Sequence, residues 1–593
     1  MNFNANKTPM KPDNQNFILA IVLSMSIIFA WQFFFAAPQA EKAAQQQAVV
    51  QQQQQAVVPG DPVADAVVVR DMAIKQTARV AIDTPDLSGS INLTGAQFDD
   101  LKFKNLREKV SPTSANVTLL SPSGTVNAYF AEQGYVATSG STTKLPDSKS
   151  VWTLTSGTAL SAATPVTLSW DNGQGLVFRR EISLSDQYVF AVKHEIENKS
   201  SVPVSLIPYA RVQRQDTPVT EGFYVFFEGL LGVQDGVLTE AGYGDVSDEG
   251  GKIVKDGTGG WLAFTDKYWA TALMPDQTSS VTSTYQHFKI GARDAYQVDW
   301  LARDALTVAP GTVGTMTDHV FAGAKVVNSM YAIGEKLGID KFDLMIDWGW
   351  FGFLTKPMYQ LLHWAKGIVG NFGLAILFVT VLVKLAVFPL ANKSYASMSK
   401  MKKLQPEMER IKTEFPDDKM KQQAAIMEMY KKEKVSPLSG CLPIVVQIPI
   451  FFALYKVILT TIDLRHAPFY GWVHDLSAPD PTNLFTLFGL IPWSPPHLLI
   501  LGIWPILMGI TMWVQMRLNP TPADPIQASM FNWMPLIFTF MLGSMPAGLV
   551  IYWTWSNFLS ILQQSFIMKR HGTEIDLFGN IRNSIPFLKK KQA

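Results

Sequence analysis

A lysine lies inside one of the most apolar stretches of this 593-residue chain. Lys384 interrupts the run from Ile376 to Leu390, where a cation in mid-membrane costs roughly 2.5 to 3.5 kcal/mol. Because of this cost, we expect the Lys384 ammonium either to be hydrated or to have a functional role. The alternative is snorkelling, because Lys384 lies roughly 9 Å from the nearer end of the run at 1.5 Å per residue.

Polar side chains recur at helical spacing in the other apolar runs. Thr380 lies one turn before Lys384 and on the same face. The others are Gln447, Thr511, Gln515, Ser556, Ser560 and Gln564. They could hold helices together by hydrogen bonds, but together with a deep cation they favour a hydrated polar groove. The runs contain no acidic residue, so such a groove is poorly suited to cation relay or proton pumping.

Nucleophilic and sugar chemistry are the competing hypotheses. Ser544, in the break from Gly543 to Pro546, superficially resembles the nucleophile of an intramembrane serine protease, but no histidine falls in the apolar runs to act as its base. His194, His287 and His319 lie in a β-rich region that could bind carbohydrate. His194 falls on the apolar face of its predicted strand, which favours a buried core histidine.

Composition excludes several function classes. The chain has 50 Lys and Arg residues and 49 Asp and Glu residues, which gives a net charge of +1. It therefore lacks the overall positive charge that would indicate DNA binding. One cysteine, Cys441, excludes an intramolecular disulfide framework and a thiolate zinc cluster. The phosphate-loop, dinucleotide and HExxH motifs are absent. We therefore expect no nucleotide, no cofactor, no metal and no catalytic residue.

The apolar runs predict six membrane spans. Phe17 to Ala37 has about the length of one spanning helix and is too long for a signal peptide, so we interpret it as an uncleaved anchor. The basic segment from Lys393 to Lys434 and the basic C-terminal tail belong on the cytoplasmic side by the positive-inside rule. Both termini are then cytoplasmic, and the long region after the anchor is exported.

The exported region reads as an all-β domain after an Ala/Gln-rich linker. Val166 to Trp170 and Leu176 to Arg180 flank an Asn-Gly turn, which is typical of a hairpin. The stretch from Tyr188 to Ile196 alternates apolar and charged residues, as a half-buried strand does. We infer a β-sandwich, followed by aromatic-rich interfacial helices.

The basic loop predicts a helical hairpin, with helices over 397–414 and 419–434. Its charged face either only sets the topology or is a docking platform for nascent chains or ribosomal partners. The docking residues would be Met398, Met401, Lys402, Lys403, Met408, Met427, Lys431 and Lys432.

The predicted organisation is as follows. The part before the helices consists of a cytoplasmic N-terminus (1–16), an anchor span (17–37), a linker (38–60) and a periplasmic β-sandwich (61–325). The helical part consists of interfacial helices (326–369), the second span (370–391), a cytoplasmic hairpin (392–440), the third span (441–461), a periplasmic loop (462–496), the fourth span (497–517), a cytoplasmic loop (518–529), the fifth span (530–545) and the sixth span (546–568). The chain ends in a basic cytoplasmic tail (569–593).

Several motifs resemble a known family. They are Gly370-Asn371-Phe372-Gly373, Lys384, Pro389-Leu390, Ser397 to Met401 with Leu404-Gln405-Pro406, Tyr430 to Leu438, Gly440 to Pro443, Gln447 to Phe451, Pro525, Met534-Pro535, Pro546 and Gly548 to Trp553 with Ser556-Asn557. From about Trp348 to the C-terminus the chain resembles the YidC/Oxa1/Alb3 membrane protein insertases. The anchor and large β domain resemble the Gram-negative form, whose periplasmic domain is a β-supersandwich.

The resemblance implies a polytopic α-helical protein of the bacterial inner membrane, with a five-helix insertase core, that inserts and helps fold membrane proteins. It implies a positively charged groove open to the cytoplasm and lipid, acting alone or with the Sec translocon. Lys384 matches the groove's cation, a position that is commonly arginine in the family, and Thr380, Tyr552 and Trp553 match positions facing the client helix. The implied partners are nascent membrane proteins, the ribosome, the Sec translocon and the lipid bilayer. A transporter is disfavoured because internal repeat symmetry is absent.

Overall fold

The structure is a computed structural model that describes residues 68–186, 188–220, 226–248, 251–416, 418–435, 442–487, 490–491, 493, 501–519 and 525–572. The predicted N-terminal segment, anchor span and linker lie outside the described residues, as do Cys441 and the tail beyond residue 572.

The first half of the described chain is β-rich. The strands are β1 (Arg79–Asp83), β2 (Leu87–Asn92), β3 (Gln97–Arg107), β4 (Asn116–Leu120), β5 (Tyr129–Ala137), β6 (Thr153–Ser156), β7 (Ala159–Leu160), β8 (Val166–Asp171), β9 (Leu176–Asp186), β10 (Val189–Asn198), β11 (Val204–Gln215), β12 (Gly229–Gln234), β13 (Val237–Ala241), β14 (Lys252–Thr258), β15 (Trp261–Thr265), β16 (Trp269–Met274), β17 (Ser280–Ile290), β18 (Arg293–Ala302), β19 (Leu306–Val308) and β20 (Val313–Ala324).

These strands form two sheets that share one apolar core. One sheet has the order β14-β17-β18-β11-β5-β3-β2-β1-β7, with β19 and β4 pairing at its side, and the other has the order β13-β12-β15-β16-β20-β10-β9-β8-β6. The predicted hairpin is β8 and β9, paired antiparallel from Val166 opposite Ile182 to Asp171 opposite Val177. The predicted strand is β10, whose alternate side chains are buried. Both predictions are confirmed.

His194 is a core residue, as its position on the apolar face of β10 predicts. It is buried, and its Nδ1 lies 2.8 Å from the Tyr135 hydroxyl on the opposite sheet. Its Nε2 lies 3.4 Å from the Asp318 carboxylate on β20. The hydrogen bond with Tyr135 explains why a histidine is tolerated at this inward-facing position.

The remaining elements are mostly helical. They are α1 (Arg70–Lys75), α2 (Tyr243–Asp248), α3 (Val327–Leu337), a 3-10 turn (Phe342–Met345), α4 (Gly352–Val369), α5 (Phe372–Ala386), α6 (Phe388–Lys403), α7 (Gln405–Glu414), α8 (Lys419–Lys432), α9 (Leu442–Thr460), two further 3-10 turns (Ile462–Leu464 and Leu484–Thr486), α10 (Ile503–Leu518), α11 (Pro525–Met541) and α12 (Ala547–Arg570).

The chain turns sharply between α4 and α5. Gly370 ends α4 with a φ of 75°, and the Asn371 side chain then accepts a hydrogen bond from the Leu374 amide at the start of α5. Within the described residues, no single helix meets the length and hydropathy expected of a membrane span. The α4–α5 pair, bent by 117°, meets them jointly, and Val445–Thr460 and Phe531–Met541 are shorter apolar helices.

Two helix predictions differ from the structure. The helix expected over 397–414 is interrupted at Leu404, because Pro406 lacks an amide hydrogen and is placed at the start of a new helix. The expected break between the second span and the hairpin lies at Val387 instead, since α6 runs without interruption from Phe388 through the predicted boundary. The second helix of the hairpin, α8, begins at Lys419 as predicted.

Candidate functional site

The ammonium of Lys384 lies among neutral oxygens where three helices meet. Its Nζ donates to Ser560 Oγ on α12 at 2.8 Å and to Gln447 Oε1 on α9 at 3.5 Å. Gln447 Nε2 in turn donates to Ser556 Oγ at 2.9 Å. Among the described residues, no carboxylate forms an ion pair with Lys384. Its positive charge is therefore hydrogen-bonded but not neutralised.

A cavity of about 40 Å³ adjoins this ammonium. A cavity of roughly 10–15 Å³ can hold one water molecule, so this cavity has room for a few water molecules. Its walls are mixed, with polar groups on one side and aliphatic groups on the other. They are Thr380, Val383, Lys384, Val387, Leu390, Ala391, Tyr395, Val446, Gln447, Ile450, Tyr552 and Gln563.

Helical spacing explains why these polar groups converge. Thr380 and Lys384 are four residues apart on α5, and Tyr552, Ser556 and Ser560 are four residues apart on α12, so each set forms one stripe. The two serines are buried. A polar stripe on each of two packed helices places hydroxyl groups within reach of one ammonium.

The structure separates other predicted groove residues from this cavity. Thr511 on α10 accepts a hydrogen bond at 3.4 Å from Asn557, which is on α12 but is not among the cavity-lining residues. Neither Thr511 nor Gln515 lines the Lys384 cavity. Trp553 packs on Phe451 with ring centroids 4.7 Å apart, and it lies beside the cavity-lining Tyr552. Gln564, also predicted, donates to Asn519 Oδ1 at 3.0 Å.

Sequence reasoning missed several wall residues. Tyr395 and Ala391 come from α6, beyond the predicted end of the second span. Gln563 was not predicted, because the polar residues at four-residue spacing on this helix are Ser556, Ser560 and its neighbour Gln564. No local signal places these residues at the cavity, because α6 reaches it by packing against α9 and α12, which are distant in sequence.

The hairpin residues fall into buried and exposed groups. Met398 packs in a cluster with Tyr395 and Ile567, and Met401 lies at the edge of this cluster. Met408 packs with Ile411 and Ile426. Lys402 Nζ is buried, whereas Lys403 donates to the His571 carbonyl at 3.0 Å. The exposed members are Lys403, Met427, Lys431 and Lys432. Met398 and Met408 therefore stabilise the hairpin and its contact with α12, because their side chains are already covered.

Ser544 belongs to no hydrogen-bonded catalytic arrangement among the described residues. It lines, with Pro546, a cavity of about 1190 Å³ between the β domain and the ends of the helices. His466 and Asp475 line the same cavity, but among the hydrogen bonds of the described residues none joins Ser544 to a histidine or a carboxylate. The described residues also contain no group of three or more His, Cys, Asp or Glu side chains arranged to hold a metal ion.

Two family models match consecutive parts of the chain. The YidC periplasmic domain matches residues 79–361, and the 60Kd inner membrane protein family matches residues 364–574. The first match covers the two sheets and the start of α4. The second covers the helices that surround Lys384.

Curated relatives match almost the whole chain. A membrane protein insertase YidC of Bradyrhizobium diazoefficiens is 49% identical over 611 residues, covering 97% of this chain and 99% of the relative. One of Rhizobium meliloti is 51% identical over 585 residues, covering 96% and 98%. A solved structure, described as an active YidC insertase with the first transmembrane domain resolved, is 17% identical, covers 85% of this chain and 94% of its own, and has a TM-score of 0.34.

The relatives match nearly the whole chain, and the two family models match its β-rich part and its helical part in turn. The chain belongs to the YidC family of membrane protein insertases.

Proposed function

We propose that this inner-membrane insertase takes up the polar segments of its client proteins in a groove that includes the cavity beside Lys384. The observation that carries the proposal is the ammonium itself, which is held by Ser560 and Gln447 and has no carboxylate partner among the described residues. An unneutralised cation attracts acidic residues near a client's translocated end. The membrane potential adds about 2.3 kcal/mol per charge per 100 mV.

The cavity walls suit this task because they are polar and apolar at once. A short polar segment is partly hydrated beside Lys384 and Gln447, so its desolvation cost falls. The apolar segment of the client leaves along the outer helices into lipid, and its burial supplies the driving free energy. Thr380 and Tyr552 line the route, and Trp553 flanks it. Thr511 and Gln515 are assigned to an extension of this groove toward α10.

We propose six spans with both termini in the cytoplasm. The positive-inside pattern supports this topology, because basic residues concentrate between the second and third spans and after the sixth. The domain boundaries proposed from the sequence follow the same scheme. The β domain is then held on the periplasmic side of the membrane.

Partners are proposed from the hairpin of α7 and α8. Its exposed face carries Met427, Lys431 and Lys432, which suit contacts with nascent chains and with ribosomal RNA or protein. The Sec translocon is proposed as a second partner by family likeness. We propose no catalytic residue: the protein acts as a chaperone and insertase rather than as an enzyme.

The test is insertion of a small single-span client into liposomes that contain the purified full chain, scored by protease protection. Wild type is expected to insert the client without cleaving it. We expect Lys384→Ala to lose most of this activity, Lys384→Arg to retain it, and Ser544→Ala to match wild type.

Two outcomes contradict the proposal. Full activity of Lys384→Ala would mean that this lysine only snorkels. Client cleavage that disappears in Ser544→Ala would establish the protease hypothesis instead.

A further inference from the structure

The helix that leads from the β domain toward Lys384 exposes an apolar face. On α4, the exposed side chains include Phe353, Trp364 and Ile368, which lie on one face at helical spacing, and the opposite face is buried. Just before the helix, Trp350 is 99% exposed. Exposed aromatic side chains at one end of a helix are typical of the membrane–water interface.

A cavity of about 710 Å³ opens at the start of this face. It lies between α3, the Phe342–Met345 turn and the first turns of α4. The residues that matter for its chemistry are Tyr331, Trp348, Trp350, Phe353, Lys356 and Gln360. Aromatic rings therefore surround the opening, while hydrogen-bonding groups lie on its wall.

Lys356 places an ammonium, paired with one carboxylate, in this cavity. Its Nζ lies 2.5 Å from Asp343 Oδ2 and 5.9 Å from the ring centroids of both Tyr331 and Trp348. An ammonium has three donors, and one ion pair occupies one of them. The side chain remains one-third exposed, so the other donors can bind an anion that enters from outside.

We propose that this cavity binds the headgroup of a phospholipid of the periplasmic leaflet, with the phosphate on Lys356 and the acyl chains along Trp350 and Phe353. The combination of a cation in the cavity and an apolar face continuous with it fits a molecule that carries a phosphate and two hydrocarbon chains. A soluble anion would leave the exposed aromatic side chains uncovered. The inference rests on the proposed topology, which places α4 at the periplasmic surface.

Lipid binding at this position bears on the insertase site. Helix α4 packs against α5, which carries Lys384, and against α9, which carries Gln447. A bound headgroup would fix the depth of α4 in the membrane. It would thereby set the depth of the cavity that the client enters.

The test is native mass spectrometry of the full chain released from detergent micelles with added palmitoyl-oleoyl phosphatidylethanolamine. We expect Lys356→Met to weaken retention of the first lipid at least fivefold and Lys356→Arg to restore it. Lys366→Met is the matched control on the same helix, because Lys366 lies outside the cavity, and it should stay within twofold of wild type.

Trp350→Ala provides a second variant that cannot act through misfolding, since its side chain is almost wholly exposed. It is expected to weaken retention of the lipid without lowering the unfolding temperature. Dioleoylglycerol, which lacks the phosphate, and inorganic phosphate, which lacks the chains, should each bind at least fivefold more weakly than the phospholipid.

Equal lipid retention by wild type and Lys356→Met would overturn the inference. Equal binding of inorganic phosphate would reassign the cavity to a free anion, and a lipid-free dimer lost in Trp350→Ala would assign the face to a second copy. Client insertion by the same variants separates the two proposals: lipid retention that is equal in wild type and Lys356→Met, with Lys384-dependent insertion intact, rejects only the headgroup site.

Discussion

Two lysines, one partly buried and one fully buried, lie in different surroundings. Lys384 donates to Ser560 and Gln447 within the helical region. Lys325, at the end of the β domain, donates to Thr265 Oγ1 at 2.9 Å, and its burial lowers the pKa to about 8. Asp266, Glu228 and Asp347 partly oppose this shift, and Lys456 adds to it.

The buried Lys325 predicts a pH-dependent stability. In the unfolded chain Lys325 keeps its proton up to about its ordinary pKa of 10.5, whereas in the folded chain it loses the proton near pH 8. Between these values the unfolded chain binds more protons, so the free energy of unfolding rises with pH. Lys325→Met removes this contribution. The measurement is the unfolding temperature of both proteins in detergent from pH 7 to 10.

The unfolding temperature of wild type should approach that of Lys325→Met as the pH rises. Lys336→Met, which alters an exposed lysine of the neighbouring helix α3, controls for the general effect of losing a charge. A difference between wild type and Lys325→Met that is independent of pH would show that the pKa of Lys325 is not lowered.

Ser560 provides the shortest contact of the Lys384 ammonium. Hydrogen bonds to charged groups contribute about 1.5–3 kcal/mol, and about 1.4 kcal/mol is a tenfold change in rate, so Ser560→Ala should slow client insertion at least about tenfold. Thr554→Val is the control on the same helix, because that hydroxyl bonds only its own turn, at Val550 O. Insertion kinetics in liposomes measure both. Equal rates for the two variants would contradict a role for Ser560 in positioning Lys384.

At the scale of elements, one aspartate organises the entry to α10. Asp480 is buried, accepts from the Trp504 amide at 2.9 Å in the first turn of α10, and accepts from Trp472 Nε1 at 3.1 Å. Its Oδ1 also accepts from the Thr482 amide at 2.9 Å. A single carboxylate therefore joins the loop after α9 to the next helix.

Replacement of this aspartate should destabilise the helical region. Asp480→Ala removes a helix cap, typically worth about 1 kcal/mol, and leaves buried donors unpaired at about 1–3 kcal/mol. We expect a lower unfolding temperature for the full chain in detergent. Asp304→Ala, at an exposed position in the β domain, should have almost no effect, and an equal loss in both variants would refute the assignment.

At the scale of the whole molecule, Asp347 joins three parts of the chain. Its Oδ2 lies 2.7 Å from Lys456 Nζ on α9 and accepts from the Phe227 amide in the β domain at 2.8 Å. Its Oδ1 accepts from the Gly349 amide at 2.8 Å. The ammonium of Lys456 thus ends in an ion pair that ties α9 to the β domain.

A double-mutant cycle tests this connection. Asp347→Asn and Lys456→Met should each destabilise the chain, and together they should cost less than their sum by about 0.5–3 kcal/mol. Unfolding of the full chain in detergent supplies the four stabilities. Strict additivity would mean that the β domain and α9 are stabilised independently.

The sequence by itself determined that a β-rich part precedes a helical part, and it determined the β8–β9 hairpin, the inward face of β10 and the polar stripes on α5 and α12. These follow from periods of about 2 and 3.6 residues and from turn chemistry, which are local properties. Lys384 could be identified for the same reason, because a charged residue within an apolar run can be recognised from the sequence without knowing which residues it contacts.

Only the tertiary structure decided which stripes meet. Helix packing brought Ser560 and Gln447 to Lys384, added Tyr395 from α6, and left Thr511 with Asn557 outside that cavity. Periodicity gives the face of a helix but not the neighbour that the face contacts, because the neighbour depends on packing between segments distant in sequence. The same limit hid the ion pair of Lys456 with Asp347, whose two residues lie far apart along the chain.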